Sequence, residues 1–118
     1  MKKFLALYIG TAAARSSADW DNLDASQRED IQAKGMKAWI DWGTANAAAI
    51  VDSGGPLGKT KRASKQGIAD FRDALTGYVI VQAESHMAAA KLFENHPHFA
   101  IFPGDSVEII ECLPLPRP

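Results

Sequence analysis

GYVIVQAESHMAAAKLFENHPHF, residues 77–99, reads as one strand running directly into one helix, and the rest of the chain is arranged around that unit. Tyr78 to Glu84 is apolar and β-branched, with a polar interruption at Gln82. Helix formers follow at Met87, Ala88, Ala89, Ala90, Lys91 and Leu92. Proline cannot continue a helix, so the turn His96-Pro97-His98 is expected to shut it off.

Upstream, Lys3 to Ile9 forms a first strand ended by Gly10. The polar stretch that follows has only Trp20 and Leu23 as large apolar anchors, which suits a loop with a helical turn. Ser26-Gln27-Arg28-Glu29 matches a capping box and predicts that a helix starts there. Ile31, Gly35, Ala38, Trp39, Trp42, Ala45 and Ala49 recur at helical spacing and form one face. Gly35 and Gly43 each cost about 1 kcal/mol relative to alanine inside a helix, so both suggest a close approach to a neighbouring backbone.

Asp52-Ser53-Gly54-Gly55-Pro56 reads as a turn, and Leu57 to Arg62 as a short strand whose Lys59, Lys61 and Arg62 blunt a sheet edge. Residues 63–76 form a long connection, and Ser106 to Leu113 the fourth strand. The proline-rich end, residues 113–118, is expected to lie extended outside any ladder.

The order βαβ repeated twice predicts an α+β fold: a ferredoxin-like βαββαβ sandwich with a four-stranded antiparallel sheet, in one domain spanning residues 1–118. The first and third strands carry no interior charge and belong at the centre. Lys59, Lys61, Glu108 and Glu111 place the second and fourth at the edges.

With both helices on one face, the aliphatic sets Leu5, Leu7, Ile9 and Val79, Val81, Ala83 are expected beneath them. Phe4, Ala6, Tyr8, Tyr78, Ile80 and Gln82 then form an uncovered face, which predicts a homodimer. Tyr8, Tyr78 and Gln82 are the polar-tipped members of that face and the first candidates for lining a ligand pocket; ordinary interface packing is the plainer account of them.

Composition narrows the function classes. The chain has 118 residues, 47% hydrophobic, with a formal net charge of −1, which offers no basic stripe for nucleic acid and no field for an anionic membrane. Lys2-Lys3, FLALYIG and Ala12-Ala13-Ala14 imitate a secretory signal, but the apolar run is short and alternates as a strand does. The single cysteine, Cys112, reads as a small buried apolar residue, and its usage fits a reducing cytoplasm.

His96 and His98 flank a proline, so both rings can face one side and serve as general base or ligand. A position at a helix C-terminus would raise the His96 pKa and favour an anion. The competing account makes His96 a cap for helix carbonyls and His98 a surface residue. Lys59 and Lys61 are candidate anion holders, with solvated edge charge as the alternative. No third residue is spaced to complete a metal site, and no phosphate loop, nucleophile elbow or zinc-protease motif is present, so no cofactor or metal is expected.

The starting strand KKFLALYIG, the turn Gly54-Gly55-Pro56-Leu57, and GYVIVQAES with its Ala-rich helix resemble the YCII-related proteins, with the DGPF proteins as close relatives. The resemblance covers nearly the whole chain and implies a dimeric α/β barrel with a small-molecule cleft at one end of the sheet. In some branches a histidine after the first strand acts there with an aspartate. Here residues 10–30 contain no histidine, and the acidic position of the helix-ending turn is His96. The expected function is therefore a cytoplasmic homodimer that binds a small anionic organic molecule, with cofactor-free acid–base chemistry by His96. The alternative is a non-enzymatic binding or accessory module acting through a protein partner.

Overall fold

A computed structural model describes residues 1–116; of the proline-rich tail, Arg117 and Pro118 lie outside the described residues. The chain is α+β. A four-stranded antiparallel sheet is formed by β1 (Lys2–Ile9), β2 (Ile50–Pro56), β5 (Leu75–Ala83) and β6 (Ser106–Glu111) in the order β2-β5-β1-β6. A separate hairpin pairs β3 (Thr60–Ser64) with β4 (Gly67–Phe71). The helices are α1 (Ala12–Ser17), α2 (Ala25–Ala45), α3 (His86–Lys91) and α4 (Pro97–Ala100). The two central strands are those without interior charge, and the connectivity is compatible with a ferredoxin-like sandwich.

The core lies between the sheet and the helices. β1 and β5 pair with Phe4 opposite Val81 and Ala6 opposite Val79, so these residues share a face. Phe4, Ala6, Tyr8, Val79, Val81 and Ala83 are buried there against Ala89 and Phe93, with Trp39 and Trp42 of α2 packed on them. This corrects the expected assignment for β1: its aromatic set, not Leu5 and Leu7, meets the helices. The tryptophans of α2 make an aromatic layer in which the Tyr8 ring lies 4.7 Å from Trp39, tilted by 54°. Ile9, where the β1–β5 register shifts after Tyr8, is also buried, at 8% exposed. The face away from the helices carries Leu5, Leu7, Tyr78, Ile80 and Gln82, extended by Ile110 opposite Leu5.

α2 starts two residues earlier than the Ser26 box predicts. Asp24 accepts from the Gln27 amide at 2.8 Å while the Gln27 side chain accepts from the Asp24 amide at 2.9 Å. Asp24-x-x-Gln27 therefore closes the same reciprocal pair. Gly35 is closely approached, but by the Phe102 ring and not by a backbone: a Cβ there would lie 2.4 Å from that ring, while Gly43 faces open space.

The turn read at residues 52–56 is the irregular edge strand β2. Gly54 adopts φ +61°, and a Cβ on it would meet the Tyr78 carbonyl oxygen at 1.9 Å, so only glycine lets this bulged strand lie beside β5. Thr60–Ser64 does not join the main sheet; it folds onto Gly67–Phe71, with Lys61 paired to Asp70 and Arg62 over the Phe71 ring.

α3 opens on the Ser85 cap and ends at Lys91, before the histidines. His96-Pro97-His98 does not stop it: Pro97 is the first residue of α4 and His96 its N-cap. Cys112, expected to be buried, is exposed just past the end of β6. Among the described residues no helix is long and apolar enough to cross a membrane.

Candidate functional site

β1 ends where β5 begins, and four hydrogen bonds close that end. Thr76 Oγ1 donates to the Tyr8 carbonyl at 3.0 Å and the Gly10 amide to Ala74 at 2.9 Å. The Ile9 carbonyl accepts from His98 Nε2 at 2.7 Å and from the Asp105 amide at 2.9 Å. Around this fixed end opens a cleft of about 770 Å³. Tyr8, Gly10 and Thr11 form its floor, Ala12, Arg15 and Trp20 one side, Met36 and Trp39 of α2 another. Ser53 to Pro56, Thr76 to Tyr78 and Phe102 to Gly104 complete it with His98. The walls are mostly apolar, with a few convergent polar groups, the usual composition of a small-molecule site.

Tyr8 sits at the centre of an aromatic cluster. Its ring lies 4.7 Å from Trp39, 5.1 Å from His96 and 5.3 Å from His98. Burial disfavours the phenolate and pushes its pKa above the usual value of 10.0, so the hydroxyl keeps its proton at neutral pH. Room for the ring is left by its cross-strand neighbour Gly77, where a Cβ would come within 3.2 Å of it.

His98 is 7% exposed, not a surface residue. A carbonyl only accepts, so the ring proton that meets Ile9 is on Nε2. Gly104 packs against the same residue: a Cβ there would lie 2.3 Å from the His98 carbonyl oxygen and 2.4 Å from its ring. Such contact leaves glycine as the residue that fits.

His96 is 0% exposed and does not line the cleft. Trp39 at 4.6 Å and Trp42 at 4.7 Å stand edge-on to its ring, and Nδ1 accepts the His98 amide at 3.0 Å. Burial, with a smaller contribution from the charge of His98, lowers its pKa from 6.5 to about 4. The raised pKa expected of a helix C-terminus is thus reversed, because the ring caps the start of α4 and is cut off from water. At neutral pH it carries no charge for an anion.

Of the other residues singled out in the sequence, Tyr78 lines the cleft. Gln82 does not; its amide nitrogen donates to the Ala48 carbonyl at 3.2 Å, tying β5 to the chain entering β2. Lys59 and Lys61 lie apart, in a hollow of the hairpin of about 790 Å³ beside Asp70 and Asp73. The cation at the cleft is Arg15, paired with Asp21 at 2.8 Å and half exposed. Arg15, Thr11, Met36, Phe102 and Gly104 gave no signal by residue type; Trp20 did, as a large apolar residue isolated in a polar stretch. Among the described residues no three histidine, cysteine, aspartate or glutamate side chains gather to hold a metal ion. The chain matches no known family model and no curated protein.

Proposed function

We propose that this chain binds a small, mainly apolar organic molecule in the cleft at the end of β1, as a homodimer of the YCII-related, DGPF-like kind. The observation that carries the reading is the cleft itself: about 770 Å³, walled by Trp20, Met36, Trp39 and Phe102, with Tyr8, His98 and Arg15 among its polar groups. That lining favours a flat apolar body with one polar end over a highly charged metabolite. Arg15 suits a carboxylate, with its charge already shared with Asp21. Acid–base chemistry by His96 would need its ring to meet the ligand; it meets Tyr8 instead, so the role given to the cleft is binding.

The family reading rests on KKFLALYIG, Gly54-Gly55-Pro56-Leu57 and GYVIVQAES, and draws support from the order β2-β5-β1-β6. Pairing as a dimeric α/β barrel draws on the sheet face that no helix of the described residues covers, where Leu5, Leu7, Tyr78 and Ile80 lie side by side with Ile110, 46% exposed. Each large apolar side chain removed from water contributes ~1.5 to 3 kcal/mol, so this set favours association of two sheets.

Two tryptophans, Trp20 and Trp39, line the cleft and report on it. Titration of intrinsic fluorescence with a panel of aromatic and alicyclic carboxylates, ketones and lactones should give saturable changes. Ala12→Trp, at an exposed position that lines the cleft, should abolish them while leaving the thermal unfolding curve in place. Identical titrations in both proteins would move the ligand elsewhere and sink the proposal.

A further inference from the structure

We infer that Tyr8 presents its phenolic O–H to the cleft as a fixed hydrogen-bond donor, oriented from behind by His96, and that the ligand meets it with a carbonyl-type oxygen. The inference rests on the cleft being the binding site and adds the chemistry that the site selects.

The direction of each hydrogen bond follows from the one before it. The amide of His98 points at His96 Nδ1 at 3.0 Å. An amide N–H only donates, so Nδ1 carries a lone pair and no proton. A neutral imidazole then has its single proton on Nε2. That nitrogen faces the Tyr8 hydroxyl at 3.4 Å, so the bond runs from Nε2–H to the phenolic oxygen. Among the described residues the Tyr8 hydroxyl makes no other hydrogen bond, and its own proton is left without an acceptor there. Tyr8 is otherwise enclosed, at 4% exposed, and the space it adjoins is the cleft.

His96 cannot swing to reverse this order. Trp39 and Trp42 hold its ring edge-on from α2, and Phe93 lies 5.7 Å away. Its Nδ1 is also the cap acceptor of α4, so the alternative tautomer would set two N–H groups against each other. The groups facing His96 are Tyr8, His98 and these aromatic rings; none is a carboxylate that would draw a second proton. His96 is therefore a positioning residue, and the donor that touches the ligand is Tyr8.

A donor with no acceptor in an apolar wall discriminates. A ligand with an oxygen there gains a bond, and one with a methylene leaves the O–H dry and unpaired. Ketones, lactones and carboxylates all supply the oxygen; Arg15, at the same cleft, distinguishes the charged source from the neutral ones.

The test compares 2-acetylnaphthalene, 2-naphthoate and 2-ethylnaphthalene as probes, by tryptophan fluorescence on the full chain. Both oxygen-bearing probes should bind about tenfold more tightly than the hydrocarbon, and Tyr8→Phe should remove that preference while hydrocarbon affinity stays. His96→Asn keeps a cap acceptor without the Nε2 donor and should shrink the preference of the ketone. If Arg15→Gln weakens naphthoate alone, a carboxylate is the better fit; if it weakens neither probe, a neutral carbonyl is. Equal binding of all three probes overturns the inference and leaves the cleft reading intact, whereas no saturable binding of any probe sinks both. Independent of ligand and of variants, long-range nitrogen–proton NMR of the histidine rings should show His96 protonated on Nε2. Protonation on Nδ1 overturns the inference outright.

Discussion

Acid should destabilise this protein through a histidine that never meets solvent. His96 is fully enclosed, with its Nδ1 lone pair facing the His98 amide, and its pKa falls from 6.5 to about 4. The folded value is depressed below the unfolded one, so between those two pH values the unfolded chain holds a proton that the native ring refuses. Stability from the neutral ring is complete above about pH 6.5 and declines as pH falls toward 4. At about 1.4 kcal/mol per unit the full difference has an upper limit of ~3 kcal/mol, most of which is gone by about pH 4.5. For a domain of this size that is a large share of the total.

The assay is urea unfolding at about pH 7.5 and about pH 4.5, in the parent chain and in His96→Asn. Asparagine retains an acceptor for the His98 amide but does not titrate. Carboxylates also titrate in this range, equally in both proteins, so the double difference isolates His96. The parent should lose about 2 to 3 kcal/mol more than the variant on acidification. Equal losses would mean that the ring takes up a proton without cost, and the argument for its enforced neutrality would fail.

Other substitutions test the packing that supports the site. Gly43→Ala, in open space within α2, should stabilise by up to ~1 kcal/mol in thermal or urea unfolding. Gly35→Ala, although it gains the same helix propensity, should destabilise by ~1 to 2 kcal/mol because its methyl would lie 2.4 Å from the Phe102 ring. Asp24→Ala should cost ~1 kcal/mol through loss of the capping box, with Ser26→Ala close to neutral; the reverse ranking would restore the Ser26 box. Ile80→Asp puts a charge on the uncovered sheet face and should convert a dimer to a folded monomer by light scattering. A parent chain that is already monomeric at micromolar concentration removes the dimer.

Where one periodicity stood out, the sequence was readable. The α2 face through Ile31, Gly35, Ala38, Trp39 and Trp42 and the central strands β1 and β5 follow from spacing alone. The orientation of β1 does not, since FLALYI is apolar at every position and alternation cannot choose a face. The choice was made by α2, whose tryptophans demand aromatic partners. β2 was hidden by its residues: serine, two glycines and proline are turn formers, and here they make a bulged edge. The hairpin was hidden because Leu57 to Phe71 lacks a buried face, every residue of β4 being exposed. Within the site, His96-Pro97 carried a legible signal as an N-cap with proline at the first helical position. What buries that histidine was not legible, because Trp39, Trp42 and Tyr8 reach it from distant parts of the chain.

The cleft is inseparable from how the central strand ends. The Ile9 carbonyl faces β6, where Ile9 pairs with Ser106, and at the end of that ladder it accepts from His98 and Asp105. Those two bonds bring the segment after α4 against the strand, and Gly104 lets it come close enough. With that segment in place, His98 aligns its amide on His96, and His96 holds the Tyr8 hydroxyl. Each polar partner in this series is fixed by the one before it, starting from a backbone carbonyl at the end of a central strand. Substitutions at Ile9, Gly104 or His98 should therefore change stability and ligand selectivity together, whereas cleft residues on α1, such as Ala12, should change selectivity alone.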